Sequence, residues 1–516
     1  MASLDKSLVK ITKGAGIALI GSAAGMLFSF ASRLLVARHS TEADYGVFSL
    51  AYVIISICAM VATLGLDEGV TRNLAYARGV NNTKKVQELV STSIQLGLLA
   101  SVSLGVTIFF TSDIIATTIF HDTALGLPLK IFALGIPFFT LVSIFVSFFR
   151  GFDNIKPRVY LQDVLINLLF TLALLTVVFL HLPLVSVFYS FVASLVITCT
   201  TLIIYAIKRL PCPIRFTTRV LVDPVTKELL LFSLPLCGVA MLQMIVAWTD
   251  TLMLGVLKSS IEVGFYNAAY PLSHIIYAPM VATVMIYLPI ISGLYSQNQV
   301  PEIRRTYTLI TKWVFTVSLP IFIVLLLFPE TVLDFFFGAN YTPASQALQI
   351  LCLGFLIVNL LGPNGVTLTA IGRTKFLLWA SLAAAGMNVI LNIVLIPPLG
   401  IVGAAIATAA SLTLHCIIRH VRVHSLLHVN PLSKNMLKPA IISIGLMLAI
   451  YFIVRNFLTV TFWMLPLLFI LFCAIYFLAI LLSKSFDHQD IMMLLTIEKR
   501  LGINLAPVKK ILGRFL

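Results

Sequence analysis

The sequence has little charge for its length. Only 11% of its 516 residues are Asp, Glu, Lys or Arg, whereas 59% are hydrophobic. Soluble globular proteins carry roughly 25% charged residues. The mean hydropathy of +1.04 points the same way. These values exclude a soluble fold and predict an all-α polytopic membrane protein.

Cysteine patterns and catalytic motifs are also missing. The seven cysteines show no CxxC and no paired spacing, so we predict neither a disulfide framework nor a metal site, and no cofactor. The outer loops are short and carry no DxD or HxxxE pattern. A membrane glycosyltransferase or polymerase would need such groups near the outer face, so an enzyme is a weak hypothesis, and a channel or scaffold is weaker still.

Long apolar runs are abundant, and fourteen of them reach the length of about 20 residues that crosses a bilayer as a helix. Their approximate positions are 13–37, 45–66, 89–111, 127–149, 159–180, 184–207, 230–257, 265–291, 308–328, 344–369, 376–396, 400–420, 437–456 and 461–483.

Lysine and arginine set the expected orientation. With the amino terminus inside, 30 of the 35 basic residues fall in the inner segments. Cytoplasmic loops carry such an excess, so both termini are expected in the cytoplasm of a plasma-membrane protein. The net charge of +15 is then a topology signal, and we expect no nucleic-acid partner.

An internal repeat organises these spans. Landmarks recur at a spacing of 217 to 219 residues, which pairs Gly46, Phe48, Ala51 and Tyr52 with Gly264, Tyr266, Ala269 and Tyr270. Six spans per copy predict two pseudo-symmetric lobes of parallel topology. The predicted organisation is an N-lobe at 1–207, a cytoplasmic linker at 208–229, a C-lobe at 230–423, two further spans within 437–483 and a cytoplasmic tail at 484–516.

The tail interleaves apolar residues with Lys499, Arg500, Lys509, Lys510 and Arg514. That pattern is typical of an amphipathic helix on the anionic inner leaflet. A tail that packs on the protein itself fits the pattern equally well.

Several segments resemble signatures of the polysaccharide-biosynthesis flippases, within the superfamily of multidrug, oligosaccharidyl-lipid and polysaccharide exporters. They are SRLLVARHSTEADYGVFSLAY at 32–52, LGLDEGVTRNLAYARG at 64–79, DTLMLGVLKSSIEVGFYNAAYPL at 250–272, AIGRTKF at 370–376 and IPPLGIVGAAIATAAS at 396–411. The resemblance covers roughly residues 10–480.

The resemblance implies a two-lobed exporter of about fourteen helices that moves lipid-linked saccharides from the inner to the outer leaflet by alternating access. Glycosyltransferases or a polymerase would be its partners. The alternative is a cation-coupled exporter of drugs or other small molecules from the same superfamily. The coupling ion, a proton or sodium, is left open.

Two charged residues inside apolar runs are the first site candidates. Ionisable groups at membrane depth are costly and are functional hypotheses by default. Arg33 could bind the substrate phosphate through its guanidinium, or extend to the outer surface. Asp250 corresponds to Ser32 in the repeat, so it could face Arg33 across a cavity or form a structural pair with it. The resemblance favours a cavity role for Asp250.

Four further residues are substrate-binding candidates with a structural alternative each. Arg72 could line the inner mouth or join an interfacial ion-pair cluster. His274 could serve the cavity or be a satisfied interior histidine. Gln243 and Asn359 could bind sugar hydroxyls or hold helices together, as other amides such as Asn167 could.

A helix break is expected at NLLGPNGVTLT, residues 359–369, where Gly362, Pro363 and Gly365 interrupt a span. Freed backbone groups inside a membrane need a protein neighbour or a water-filled cavity. We therefore interpret the segment as a hinge or a cavity wall.

Overall fold

A computed structural model describes residues 2–209, 224–431 and 464–482, together with 438, 441, 442, 445 and 452. Most of the predicted linker, most of the predicted span at 437–456 and the whole predicted tail at 484–516 lie outside these residues. In the described part of the chain, all regular structure is helical. The predicted all-α class is therefore confirmed.

The chain divides into two compact units, residues 1–264 and residues 265–516. The first unit contains the helices α1 (Ala2–His39), α2 (Glu42–Thr63), α3 (Leu66–Gly79), α4 (Thr83–Ile114), α5 (Gly126–Ala133), α6 (Ile136–Gly151), α7 (Ile166–Phe179), α8 (Val185–Arg209) and α9 (Pro224–Leu257). A π-helix, Arg158–Leu165, runs directly into α7.

The next helix, α10 (Ser260–His274), spans the boundary between the units. The second unit continues with α11 (Ala278–Ser296), α12 (Val300–Leu327), α13 (Pro329–Phe336), α14 (Ser345–Leu360), α15 (Asn364–Ala370), α16 (Thr374–Leu399), α17 (Ile401–Leu427) and α18 (Met464–Leu482). The predicted lobe boundary at 208–229 stays a prediction, since the contacts of the chain group α9 with the first unit.

Nine helices of the described residues are long and apolar enough to cross a membrane, or up to eleven if each bent pair is one span. One bent pair joins Thr123–Ala133 to Ile136–Gly151 at 45°. The membrane class is thus confirmed, and the count of fourteen stays a prediction.

The helix order repeats along the chain. Helical segments that begin at Glu42, Thr83, Arg158 and Val185 are followed, 216 to 218 residues later, by segments that begin at Ser260, Val300, Thr374 and Ile401. This spacing agrees with the repeat found in the sequence. Corresponding positions in the two copies can therefore be compared residue by residue.

Local signals fix where the helices of the first unit begin and end. Thr41 and Asp44 form a capping box, in which the Thr41 hydroxyl accepts from the Asp44 amide at 3.2 Å. Leu64 and Gly65 both adopt left-handed backbone angles, which separates α2 from α3. The interior between α2, α5, α7 and α8 is aromatic, and its rings include Phe48, Phe132, Phe170, Phe188 and Phe191.

Candidate functional site

A cavity of about 450 Å³ lies within the first unit. This volume falls in the range of ligand pockets, roughly 300–1,000 Å³. Its polar wall comes from α1, the π-helix and the start of α7. The polar side chains on that wall are Ser22, Ser29, Arg158, Gln162, Asp163 and Asn167.

The π-helix explains why these side chains meet. Its i to i+5 hydrogen bonds widen the turn, so residues four and five apart share a face. Gln162 and Asp163 follow Arg158 by four and five residues, and Asn167 follows by nine. All four line the same cavity. In a regular α-helix, Asp163 would point away from the face that carries Arg158.

Helix α1 approaches the π-helix closely enough to share this wall. A Cβ atom added to Gly21 would lie 1.9 Å from a methyl of Val159, and one added to Gly25 would lie 2.4 Å from the backbone oxygen of Asp163. At Gly25 only glycine permits this approach, because the neighbouring atom belongs to the backbone. One residue along from Gly21, the hydroxyl of Ser22 donates to the Asp163 carboxylate at 3.1 Å.

The other residues that line the cavity are aromatic or apolar. The aromatic ones are Tyr52, Phe139 and Phe191. The rings of Tyr52 and Phe191 meet edge to face with centroids 5.6 Å apart. Trp248 of α9 backs Tyr52 in the same way at 6.2 Å. The cavity therefore pairs a hydrogen-bonding face with ring surfaces that present little polarity.

The charges of the polar wall balance each other. The Arg158 guanidinium interacts electrostatically with the Asp163 carboxylate. The side-chain amide of Asn167 donates to the Asp163 backbone oxygen at 2.7 Å, which holds it against the π-helix. Among the described residues, no three His, Cys, Asp or Glu side chains are placed to bind a metal. The wall offers both donors and acceptors to a polar guest.

The predicted charged pair lies elsewhere in the same unit. Arg33 is half-buried on α1, and its guanidinium hydrogen-bonds to the phenol of the buried Tyr45. Asp250 is buried on α9, with an exposed fraction of 4%. A pairing of Arg33 with Asp250 stays a prediction.

Arg72 lies on α3 with its guanidinium 4.3 Å from the ring centre of Phe232, a cation–π contact. Its neighbour Glu68 pairs with Arg150 at 2.9 Å. The ion pair beside Arg72 is thus formed by Glu68 and Arg150, and both roles considered for Arg72 stay predictions. The candidate Gln243 falls on α9 at a position whose side chain is not among those described.

In the second unit, His274 lies in an aromatic cluster. Its ring centre is 6.0 Å from that of Tyr270, 5.8 Å from Tyr277 and 5.2 Å from Phe355. Asn359 is fully buried and donates to the Ile276 backbone oxygen at 2.7 Å and to the Ser318 hydroxyl at 2.8 Å. These bonds tie α14 to α12 and to the short 3-10 helix Ile275–Tyr277 between α10 and α11. Substrate binding by either residue stays a prediction.

The expected helix break is present. Helix α14 ends at Leu360, α15 begins at Asn364, and Gly362 has a φ of +74°. Tyr307 donates its hydroxyl to the freed Leu361 oxygen at 2.5 Å. A protein neighbour thus satisfies the broken backbone. Motion about this hinge stays a prediction.

Sequence reasoning missed Arg158, Gln162 and Asp163 as site residues. They open the span expected at 159–180, where polar residues look like an ordinary inner-surface boundary. The available signal was the pairing of Asp163 with Asn167 four residues on. That signal indicates a site only when it is known that the π-helix places Asp163 and Asn167 on the same cavity.

Comparisons with known proteins identify the family. A model of the polysaccharide biosynthesis protein family matches residues 11–295, a range that contains every residue of the cavity wall. A MatE family model matches residues 235–394.

Two curated relatives are archaeal. A probable low-salt glycan biosynthesis flippase of Haloferax volcanii is 27% identical over 172 residues, which is 33% of this chain and 36% of that protein. The match thus spans about a third of the relative. An uncharacterized membrane protein of Methanocaldococcus jannaschii is 22% identical over 474 residues, 86% of this chain and 90% of its own.

Solved structures share the fold. The lipid II flippase MurJ in an inward closed conformation superposes with a TM-score of 0.67 at 16% identity, over 92% of this chain and all of its own. A multidrug resistance MATE transporter in an inward-facing conformation gives 0.64 at 17% identity, over 80% of this chain and 98% of its own. At sequence identities this low, the similarity shows a shared fold alone.

Proposed function

The chain belongs to the polysaccharide biosynthesis protein family, and from that premise we propose that it is a flippase, a transporter that moves lipid-linked saccharides from the inner to the outer leaflet. The observation that carries the proposal is the family match over 11–295, which contains the polar cavity among the helices of the first unit. The similarity to the probable glycan biosynthesis flippase of Haloferax volcanii supports the same conclusion.

The chemistry of such a substrate fits the residues present. A saccharide head on a phosphate or diphosphate needs polar groups shielded from lipid, while its polyprenyl tail stays in the hydrocarbon. Guanidinium groups bind phosphate with two parallel hydrogen bonds. Arg33 on α1 is the arginine proposed for that contact in the first unit.

Export of a small molecule with a coupled cation is the second candidate, and the MatE match over 235–394 favours it. Coupling requires an ionisable group in the transport path. In the first unit, the carboxylates proposed for that role are Asp163 on the cavity wall and the buried Asp250. Under both candidates the chain is a multi-pass membrane protein, and we expect both of its termini on the cytoplasmic side. For the flippase, we also expect an association with glycosyltransferases or a polymerase.

A vesicle assay tests the flippase proposal. The full chain is reconstituted into sealed liposomes with fluorescently labelled lipid-linked glycans extracted from the organism's own membranes. A membrane-impermeant quencher then measures how fast labelled heads appear on the far leaflet. We expect exchange well above that of protein-free liposomes. Equal rates with and without protein would overturn the proposal.

Two variants that each remove one charged side chain test which residues lie on the path of the substrate. Arg33→Ala and Asp250→Ala should each abolish flipping in protein that still elutes as a folded monodisperse peak, because each removes a charge from the proposed path. Lys84→Ala is the control, since Lys84 is exposed and its i,i+4 pair with Glu88 is long at 3.9 Å. Normal flipping by both variants would assign Arg33 and Asp250 a structural role.

A further inference from the structure

We propose that the cavity of the first unit is the subsite for the sugar rings of the substrate, distinct from the phosphate contact and from any cation site. This inference rests on the proposed flippase function and assigns the cavity its ligand class. It is carried by the lining of the cavity: hydrogen-bonding side chains and aromatic rings line the same volume of about 450 Å³.

The polar face suits hydroxyl groups. A sugar hydroxyl both donates and accepts hydrogen bonds. Arg158 supplies only donors, Asp163 supplies only acceptors, and the amides of Gln162 and Asn167 supply both. A neutral polyhydroxyl ring can pair with all four, whereas an isolated anion or cation would find one of the two charged groups repulsive.

The aromatic face suits the other side of a sugar. A pyranose ring presents C–H bonds on its faces and hydroxyls around its edge, so it packs flat on aromatic rings while its edge is hydrogen-bonded. Tyr52 and Phe191 provide such rings, and Tyr52 adds a phenol at its tip. Phe139 extends the same surface.

A cation site is the weaker interpretation of the same residues. Asp163 is the cavity's one carboxylate, and Arg158 interacts with it directly. A neighbouring guanidinium repels a bound sodium ion or proton. Ser22 already donates to Asp163, which uses part of the coordination that a cation would need.

The backbone is arranged to keep this face in place. Gly21 and Gly25 let α1 lie directly on the π-helix. The Asn167 amide is anchored on the Asp163 backbone oxygen, and Thr171, one turn further on, donates to the Asn167 backbone oxygen at 2.7 Å. The wall is thus preorganised before a ligand arrives, which lowers the entropic cost of binding.

A binding experiment on the full chain in nanodiscs tests the subsite. The probes are radiolabelled lipid-linked glycans from the organism's own membranes and the carrier phosphate left after mild acid has released the glycan. Wild-type protein should bind the glycan-bearing lipid roughly tenfold more tightly, the worth of one or two hydrogen bonds to charged or amide groups. The released glycan should compete with the glycan-bearing lipid and remove this difference in affinity.

Variants of cavity residues test whether the tighter binding of the glycan-bearing lipid depends on the cavity. Gln162→Leu and Asn167→Leu should each reduce the preference for the glycan-bearing lipid and leave binding of the stripped carrier unchanged. Gln297→Leu is the matched control, because Gln297 is exposed in the second unit. Equal binding of both probes by wild type, or an undiminished preference in both variants, would overturn the subsite.

A fluorescence titration needs no cavity variant and so does not depend on how well those variants fold. With Trp313, Trp379 and Trp463 replaced by Phe, Trp248 reports on Tyr52, its edge-to-face neighbour. Released glycan should change its emission saturably. A response to sodium with none to glycan would establish a cation site instead. Glycan flipping that persists while these sugar responses fail would overturn the subsite alone; absence of flipping would overturn the function itself.

Discussion

The same position in the two repeats has opposite chemistry. In the first unit, the segment from Arg158 is a π-helix whose polar side chains enter a cavity. In the second unit, the corresponding segment from Thr374 is part of the regular helix α16. At a spacing of 216 residues, Gln162 and Asp163 correspond to Leu378 and Trp379. Trp379 is 70% exposed, so it faces outward from its unit.

This difference separates what the fold needs from what a ligand needs. In the second unit, α16 takes the corresponding place in the helix order, and it is built mainly from apolar residues without a charged face. The fold therefore does not require Arg158, Gln162 or Asp163, and their cost inside a membrane protein must be offset by another role. Binding a polar guest is the role that the cavity offers.

Buried polar groups in the second unit serve backbone and helix contacts. Around the break at Gly362, Tyr307 donates to the Leu361 oxygen, and the hydroxyls of Tyr287 and Thr367 meet at 2.8 Å. A Cβ at Gly362 would lie 2.2 Å from the Thr311 hydroxyl. The second unit thus uses polarity to satisfy a broken helix, while the first unit exposes it to a cavity.

The largest expected effect comes from giving the first repeat the chemistry of the second. The triple variant Arg158→Thr, Gln162→Leu, Asp163→Leu removes the polar face. Flipping should fall by a factor of roughly 30 to 150, since two or three contacts of about 1 kcal/mol each are lost. The liposome assay measures the rate.

Folding of that variant is the control. Its free energy of unfolding in detergent should stay within about 1 kcal/mol of wild type, because uncharged residues replace both members of the Arg158 and Asp163 interaction and neither charge is left without its partner. A variant that flips normally would show that the polar face is not functional. A variant that fails to fold would show that the fold does need it, which would contradict the comparison of the two repeats.

Much of the architecture could be predicted from the sequence, because hydropathy and charge bias depend on residues that are close together in the chain. The repeat spacing, the helix break at 362–363 and the helical class all follow from residue patterns over short windows. The cavity did not follow, because it depends on a π-helix. One extra residue in a turn changes which side chains share a face, and no composition signal marks that change.

Burial at single positions was likewise only partly predictable. The sequence shows Asn359 as a polar residue inside an apolar run, but its partners, Ile276 and Ser318, lie 83 and 41 residues away in sequence. Whether an amide meets a ligand or a neighbouring helix depends on such tertiary contacts. Sequence periodicity predicts which face of a helix carries a residue, but it does not predict which group that residue contacts.

An intermediate effect is expected from glycine substitutions in the two repeats. Gly25→Ala places a methyl 2.4 Å from the Asp163 backbone oxygen, so α1 and the π-helix must separate. We expect a destabilisation of about 1–3 kcal/mol, the usual cost of overpacking, together with a lower glycan preference. Gly386→Ala in α16 meets nothing within 4 Å.

Because alanine is the better helix former, Gly386→Ala should be neutral or stabilising by up to about 1 kcal/mol. Thermal unfolding of both variants in the same detergent measures the contrast. Equal stability of the two would mean that the contact between α1 and the π-helix can relax freely. The proposed preorganisation of the cavity wall would then be wrong.

The smallest effect is expected at the charged surface of the first unit. Arg78 and Asp153 pair at 2.5 Å, with side chains 41% and 59% exposed, whereas Arg305 and Glu302 in the second unit are 3.9 Å apart. Exposed ion pairs contribute about 0–1 kcal/mol and are screened by salt. Asp153→Asn should therefore lower stability by less than about 1 kcal/mol, and Glu302→Gln by less still. Unfolding at low and high salt distinguishes them: the Asp153 effect should shrink as salt rises, and a larger, salt-independent loss would show that Asp153 holds the backbone rather than a charge.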